Sequence, residues 1–268
     1  MITAGALLAA SVLVLMLAPR VLTVGHWQVR HPRIALTLWF GAFFGGGVLV
    51  LGSVVTTIAA ALNAGAAPTA AEAIMVTMAA WLGVGAIGAG IAFVGVSAEP
   101  LAHSHQQALA RLVPIAVARE ERRGFTLVWF DAPSPVACAA PGRPAEILVS
   151  SGMRDLLTAP QLQAVIAHEY AHLRLRHGWA MRIAELNALC LPRALRAGRG
   201  LKRATSLLIE LVADDAAARQ AGAAHLANAL TRLAAATDDP GLAVRAERLT
   251  LRRWPTAARR RLPEPIRI

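Results

Sequence analysis

Charge of either sign is almost absent from the first third of this 268-residue chain. Residues 1–96 contain only Arg20, Arg30, Arg33 and Glu72, although the whole chain carries a formal net charge of +11. Hydrophobic residues make up 56% of the chain, and the mean hydropathy is +0.51. Soluble globular domains rarely combine these values. The composition therefore indicates a membrane protein with a basic, water-exposed part.

Three uncharged runs lie within residues 1–96. The first lacks both the positive n-region and the A-x-A cleavage site of a signal peptide, so we predict an uncleaved transmembrane helix from Met1 to about Val24. The runs Ile34–Leu62 and Ala73–Val96 also reach the roughly 20 apolar residues that a bilayer requires. The sequence therefore predicts three transmembrane helices.

The arginines predict the orientation of these helices. The loop from Arg20 to Arg33 is basic, residues 63–72 contain neither lysine nor arginine, and the chain after Val96 is strongly basic. Because basic residues stay on the cytoplasmic side, we expect the N-terminus outside and everything after about Ser97 in the cytoplasm.

Cysteine is also scarce, since Cys138 and Cys190 are the only two. A cytoplasmic location disfavours a structural disulfide, and two distant cysteines cannot form a closed zinc knuckle. We interpret both as buried thiols. A metal site in this chain must use other residue types.

The cytoplasmic part begins with a segment, residues 98–123, that we predict to be a juxtamembrane helix interrupted at Pro114. Three short apolar runs follow, separated by prolines and a glycine, at Phe125–Phe130, Val136–Ala140 and Glu146–Ser150. They are typical of three strands of a small sheet.

A helix with clear end signals comes next and contains the stretch VIAHEYAHLRLRHG, residues 165–178. Thr158 and Gln161 form a capping box, Pro160 lies in the first turn, and Gly178 stands where a C-terminal cap belongs. His168 and His172 lie one turn apart on this helix, so both imidazoles project from one face and can bind one metal ion. Glu169 lies beside them.

An H-E-x-x-H pattern arises by chance in roughly 1 of 100 chains of this composition. A catalytic zinc site also needs a third protein ligand. The predicted helix Ser206–Gly222 supplies it, because Glu210 and Asp214 lie one turn apart there. This spacing suits a pair in which Glu210 binds zinc and Asp214 holds a ligand imidazole. We expect Asp215 to be a surface charge.

The chain resembles the BlaR/MecR-type integral membrane zinc metallopeptidases, and among them the short form that has no sensor domain. The resemblance rests on the order of uncharged spans, then VACAAPGRPAEILVSSGMRDLL, HEYAHLRLRHGW and IELVADDAAARQAG. The HtpX/Ste-type membrane peptidases, which share both helix motifs, are the second choice. The resemblance implies that His168, His172 and Glu210 bind Zn²⁺, that Glu169 is the general base, and that Asp214 supports a ligand.

The expected fold is an α-helical membrane protein with an α+β zincin-like (gluzincin) catalytic domain. We predict a transmembrane region at 1–96, a zinc metallopeptidase domain at 97–240 and a basic tail at 241–268. The tail is expected either to meet anionic lipid headgroups or to be solvated. Arg219 and His225 are candidates for stabilising an oxyanion.

The predicted function is zinc-dependent cleavage of a protein or peptide substrate at the cytoplasmic face of the bacterial plasma membrane, in regulatory proteolysis of a repressor. Two alternatives stay open: an HtpX-like quality-control protease of membrane proteins, and a catalytically silent zinc-binding scaffold. The expected partners are a protein substrate and the lipid bilayer, with no specific nucleic acid. The sequence does not indicate the oligomeric state.

Overall fold

The computed structural model describes residues 2–62, 116–190 and 196–254, together with positions 73, 74, 77, 78, 81, 83–85 and 88. The chain divides into two compact units. The first unit comprises Met1–Leu101 and Arg182–Leu208, and the second comprises Ala102–Met181 and Ile209–Ile268. The first unit thus includes a stretch from within the region that the sequence predicts as one catalytic domain.

The first unit begins with the helices α1 (Ile2–Leu22), α2 (Trp27–Arg30) and α3 (Pro32–Leu62). By length and composition, α1 and α3 are apolar enough to cross a membrane. They correspond to the first two predicted spans, whereas the third, Ala73–Val96, lies largely outside the described residues.

Two hydrogen bonds join α1 to α3. The Ser11 hydroxyl donates to the Gly46 carbonyl at 3.0 Å, and the Ser53 hydroxyl donates to the Ala4 carbonyl at 2.8 Å. Both serines are buried, although most residues of the two helices are apolar. Because apolar surroundings leave no water to satisfy a hydroxyl, these bonds fix how the two helices align.

A cluster around Trp39 packs the start of α3 against two later helices, α6 (His177–Cys190) and α7 (Arg196–Ala217). Its buried members are Ala35, Trp39, Ala184, Leu201 and Leu208. Leu22 and Trp27, at the turn between α1 and α3, are partly buried against them. The turn that follows α1 therefore packs against parts of α6 and α7.

The second unit contains a four-stranded mixed sheet: β1 (Ala116–Arg122), β2 (Phe125–Phe130), β3 (Ala137–Ala140) and β4 (Glu146–Ser150). The strand order is β1-β2-β4-β3, with β2 parallel to β4 and the other two pairs antiparallel. The three predicted strands are thereby confirmed.

The prediction of a juxtamembrane helix over residues 98–123 is wrong at β1. Gly124 has a φ of 99°, which allows a tight reversal of the chain, and β1 then pairs with β2 along its length. The side chains of β1 are largely exposed and form ion pairs such as Arg119 with Glu146 at 2.7 Å. Backbone pairing with β2 therefore outweighs a sequence that lacks the alternation of a strand.

The helices of the second unit are α4 (Ser151–Leu156), α5 (Ala159–Arg174), the start of α6, the end of α7, a π-helical turn (Ala218–Gly222), α8 (Ala223–Thr237) and α9 (Pro240–Leu251). One face of the sheet packs against α4, α5 and α8 in a single hydrophobic cluster. Its core includes Leu127, Ile147 and Val149 from the sheet and Ile166 from α5. Each such side chain contributes about 1.5–3 kcal/mol when fully buried. This packing fixes α5 on the sheet.

The start of α5 agrees with its predicted capping box, since the Thr158 backbone N–H donates to Gln161 Oε1 at 3.0 Å. Its end does not agree, because α5 stops at Arg174 and Gly178 lies inside α6. Arg176, with a left-handed φ of 54°, reverses the chain between the two helices. The start of α7 also differs from the prediction: it begins at Arg196, ahead of the predicted cap at Thr205 or Ser206.

The segment predicted to begin a basic tail at residue 241 starts instead with helix α9. The Asp239 side chain caps this helix by accepting the Gly241 backbone N–H at 2.8 Å. Ala246 and Leu249 are buried in a cluster with α8. An apolar stripe that needs a partner therefore makes the first half of this stretch part of the folded unit.

Candidate metal centre

Helix α5 carries both histidines of the H-E-x-x-H motif. Their spacing of four residues places them on one face, with Nε2 of His168 and Nε2 of His172 only 3.1 Å apart. His168 is almost fully buried and His172 is mostly so. Two imidazole nitrogens thus converge on one point.

Helix α7 brings Glu210 to the same point. One carboxylate oxygen lies 3.3 Å from His168 Nε2 and the other lies 3.5 Å from His172 Nε2. Among the described residues, these three form a cluster of side chains that could hold a metal ion. The structure therefore brings together the three ligands expected from the sequence.

The separations of the three donors fit a zinc ion. Tetrahedral zinc has bonds of about 2.0–2.2 Å to nitrogen and oxygen, which places neighbouring donor atoms about 3.4 Å apart. The observed separations of 3.1, 3.3 and 3.5 Å lie around this value. Two imidazoles and one carboxylate also leave a fourth coordination position open, as catalytic zinc sites require.

Asp214 lies on the side of His168 away from Glu210. Its Oδ1 is 3.0 Å from His168 Nδ1, at an angle that departs from a straight hydrogen bond. The Asp214 side chain is fully buried, so its charge must be compensated. This is the position expected of a carboxylate that orients a ligand imidazole.

Arg245, on α9, is a residue of this site that the sequence did not reveal. Its guanidinium makes two hydrogen bonds to Asp214, at 2.7 and 2.8 Å, and lies 2.9 Å from Glu210 Oε2. One cation thus compensates both acids of the E-x-x-x-D motif. Nothing in the local pattern marks Arg245, because seven other arginines surround it in the C-terminal stretch 244–268.

Asp215 was predicted to be a surface charge, and that prediction is wrong. The residue is 3% exposed and pairs with Arg248 and Arg252, each at 2.8 Å. Both arginines come from the C-terminal end of the chain, like Arg245. Asp215 therefore also anchors α9 and the residues after it.

His177, at the start of α6, is the second site residue that the sequence did not reveal. Its Nδ1 lies 3.2 Å from Nδ1 of His172, and the two rings are nearly perpendicular. It is 3% exposed. The predicted helix ran on to Gly178, which would have left His177 in the last turn of the motif helix.

Glu169 lies next to the donor cluster and to strand β3. Burial and the neighbouring Glu210 carboxylate raise its pKa to about 7, against His168, the Ala139 backbone N–H and Arg245, which lower it. A carboxylate that titrates near neutrality is suited to general acid–base work. Burial and Glu169 also raise the pKa of the Cys138 thiol to about 11, so this thiol stays protonated.

The pKa values of the two histidines themselves are shifted by burial and by neighbouring charges. Burial lowers the pKa of His172 to about 4, together with the charge of His168. Burial also lowers the pKa of His168. Its hydrogen bonds with Asp214 and Glu210 outweigh this effect and raise the pKa to about 9. The carboxylates of Asp214 and Glu210 thus favour the protonated form of His168, whereas burial favours the neutral form of His172.

Comparison with known proteins agrees with this geometry. Residues 101–233 match the model of Peptidase family M48. The match covers just under half of the chain and includes all five predicted site residues, but it ends before Arg245. Peptidases of this family are metallopeptidases and generally depend on zinc, which supports a metallopeptidase domain here.

No curated protein and no solved structure matched the chain. The M48 match does not decide between the BlaR/MecR-type and the HtpX/Ste-type resemblance, so that choice stays a prediction. Arg219 and His225 likewise stay predictions as oxyanion-stabilising residues.

Proposed function

We propose that the protein is a membrane-anchored, zinc-dependent endopeptidase that cleaves its substrate at the cytoplasmic face of the membrane. The observation that carries this proposal is the convergence of His168, His172 and Glu210 at zinc-like separations, with Glu169 beside them. The M48 match over the same residues supports it.

In this reaction the chain's own side chains would bind the zinc ion and transfer the proton. Zinc, when bound, supplies Lewis acidity that polarises the scissile carbonyl and acidifies water. Glu169 accepts a proton from the attacking water and passes it to the leaving amine. Burial of this carboxylate raises its pKa, which favours uptake of that proton. Asp214 and Arg245 hold the ligand side chains in place.

Strand β3 is where we propose that the substrate binds. It lies at one end of the strand order and pairs only with β4 among the described strands. The backbone N–H of Ala139, within β3, is hydrogen-bonded to Glu169. An extended substrate that adds to this edge would therefore run past the general base.

The first unit supports a cytoplasmic location for the peptidase. The turn after α1, with Arg20 before it and Arg30 and Arg33 after it, is basic, and such turns face the cytoplasm. Leu22 and Trp27 of this turn pack against residues of α6 and α7. We therefore propose that 182–208 lies at the cytoplasmic ends of the two apolar helices.

Metal content and hydrolysis, measured on the same samples, test the proposal. The full chain is purified in detergent as wild type, Glu210→Ala and Glu169→Gln, and zinc is determined by elemental analysis. Casein cleavage and self-cleavage are assayed in parallel. We expect about one zinc per wild-type chain, a clear loss of zinc in Glu210→Ala, and retained zinc in Glu169→Gln.

Activity should fall by about 10²–10⁴-fold in Glu169→Gln, because the amide cannot accept the proton of the attacking water. Wild-type protein that contains no zinc would overturn the proposal. Zinc without hydrolysis of either substrate would favour the catalytically silent scaffold instead.

The substrate is the finer part of the proposal. A cytoplasmic repressor is the class that we propose first, in regulatory proteolysis, and a damaged membrane protein is the second. Trapping substrates on Glu169→Gln in membranes and identifying them by mass spectrometry separates the two. Recovery of membrane proteins alone would contradict the regulatory role.

A further inference from the structure

His177 is a buried polar group that the mechanism above leaves without a task. It is 3% exposed, and its Nδ1 faces Nδ1 of His172 at 3.2 Å. The ring planes meet at 88° with their centroids 4.8 Å apart. This geometry directs one ring nitrogen of His177 at the edge of a proposed zinc ligand.

The turn between α5 and α6 produces this contact. Leu175 and Arg176 end α5 with backbone hydrogen bonds to Ala171 and Leu173, and Arg176 adopts a left-handed φ of 54°. The next helix then begins at His177 itself. The reversal therefore returns His177 onto the last turn of α5, where His172 lies.

The two nitrogens of His172 face different partners. Nε2 faces the donor cluster, at 3.1 Å from His168 Nε2, whereas Nδ1 faces His177. A neutral imidazole that binds a metal through Nε2 carries its proton on Nδ1. That proton needs an acceptor in a buried site, and Nδ1 of His177 is positioned to accept it.

His168 has a different partner at the equivalent atom. Its Nδ1 lies 3.0 Å from the carboxylate of Asp214. The site thus gives one ligand histidine a carboxylate neighbour and the other an imidazole neighbour. Three carboxylates already crowd this site, at Glu169, Glu210 and the buried Asp214. His177 offers an acceptor nitrogen without adding a fourth carboxylate.

We propose that His177 is a positioning residue for the metal: it holds His172 in the Nδ1–H tautomer and fixes its ring so that Nε2 points into the donor cluster. The inference rests on the proposed zinc site. It predicts that His177 acts through the acceptor capacity of its Nδ1 rather than through its bulk, because partners of ligand histidines typically change metal affinity 10- to 100-fold.

Two substitutions separate these possibilities. In His177→Phe, an aromatic ring of similar shape remains but the acceptor is lost. In His177→Asn, the side-chain oxygen can occupy nearly the position of Nδ1 and accept the proton. His26→Phe, at an exposed histidine of the first unit, is the matched control. All variants are prepared as the full chain in detergent.

The measurement is zinc affinity, by competition with a chromogenic chelator, together with the absorption spectrum of the cobalt-substituted protein. We expect His177→Phe to lose about 10- to 100-fold in zinc affinity and to shift the cobalt spectrum. His177→Asn should recover most of the affinity, and His26→Phe should match the wild type. Melting temperatures measured on the same samples distinguish loss of the acceptor from loss of the fold.

Wild-type affinity in His177→Phe would overturn the inference. So would an equal loss in the Phe and Asn variants, because packing rather than the acceptor would then be the cause. These results differ from failure of the proposed function, in which the wild type itself binds no zinc or binds it independently of Glu210.

Discussion

Arg245 is the residue on which the buried charges of the site depend most. Its guanidinium contacts Asp214 and Glu210, and Asp214 is fully buried. Removing one partner of a buried ion pair leaves an uncompensated charge, which costs about 3–5 kcal/mol. Arg245→Ala should therefore lower both the melting temperature and the zinc content of the purified chain.

Arg252→Ala provides the matched control for Arg245→Ala. Arg252 is 38% exposed, and its partner Asp215 keeps a second ion pair with Arg248. Partly exposed pairs contribute about 0–1 kcal/mol, so this variant should melt close to the wild type. If the two variants lost the same stability, the assigned importance of the Arg245 contacts would be wrong.

Whether a residue of this site could be predicted depends on how far its partner lies along the chain. The pairs His168 with His172, and Glu210 with Asp214, could be predicted because four residues make one helical turn. Arg245 could not be predicted, since its partner lies 31 residues away in sequence and it is one of eight arginines in the stretch 244–268. His177 was missed because a left-handed residue, Arg176, breaks a helix that the sequence pattern continues.

At the scale of the elements, Gly152 allows α4 to start directly after β4. A Cβ atom at this position would lie 2.1 Å from the backbone oxygen of Pro133, and the Gly152 N–H donates to the Ala132 carbonyl. The backbone near Pro133 would have to move to accommodate the added methyl group. Gly152→Ala should therefore destabilise the protein by about 1–3 kcal/mol, measured as a lower melting temperature.

Gly178→Ala serves as the comparison for that experiment. Gly178 lies in helix α6, and nothing would contact a Cβ atom there within 4 Å. Alanine is favoured over glycine in helices by about 0.5–1 kcal/mol, so the melting temperature should rise slightly. A Gly152→Ala variant that melted no lower than Gly178→Ala would contradict the close approach.

The elements themselves were predictable where the local pattern and the tertiary contacts agree. The apolar runs at Phe125–Phe130 and Glu146–Ser150 form strands with those limits. Strand β1 was not predictable, because Ala116–Arg122 gains its strand conformation from pairing with β2 rather than from its charged sequence. The predicted helix boundaries at Gly178 and Ser206 were wrong for a related reason: tertiary contacts outweigh local capping signals.

For the whole molecule, the structure predicts different outcomes for two C-terminal truncations. Ending the chain after Asp239 removes α9 and with it Arg245 and Arg248, which pair with buried Asp214 and Asp215. We expect this truncated chain to lose zinc and to be degraded rapidly by added trypsin. The cause is two buried carboxylates left without their arginine partners.

Ending the chain after Trp254 keeps α9 and removes the residues that follow it. This truncation should retain wild-type zinc content and resistance to trypsin, because the arginines that pair with Asp214 and Asp215 are all present. Equal zinc content in the two truncated chains would show that α9 is dispensable. Composition alone assigned both segments to one basic tail, since it does not distinguish paired from solvated arginines.

The proposed metal ligands also come from distant parts of the chain, two from α5 and one from α7. An ion held by both helices would act as a reversible cross-link that closes a long loop of the unfolded chain. Stability then rises by about 1.4 kcal/mol for each tenfold increase in free zinc above the dissociation constant. Melting curves recorded across buffered zinc concentrations would detect this dependence. A zinc-starved cell would accordingly hold fewer copies of this protein, and not only less active ones, because the fold itself would be more readily degraded.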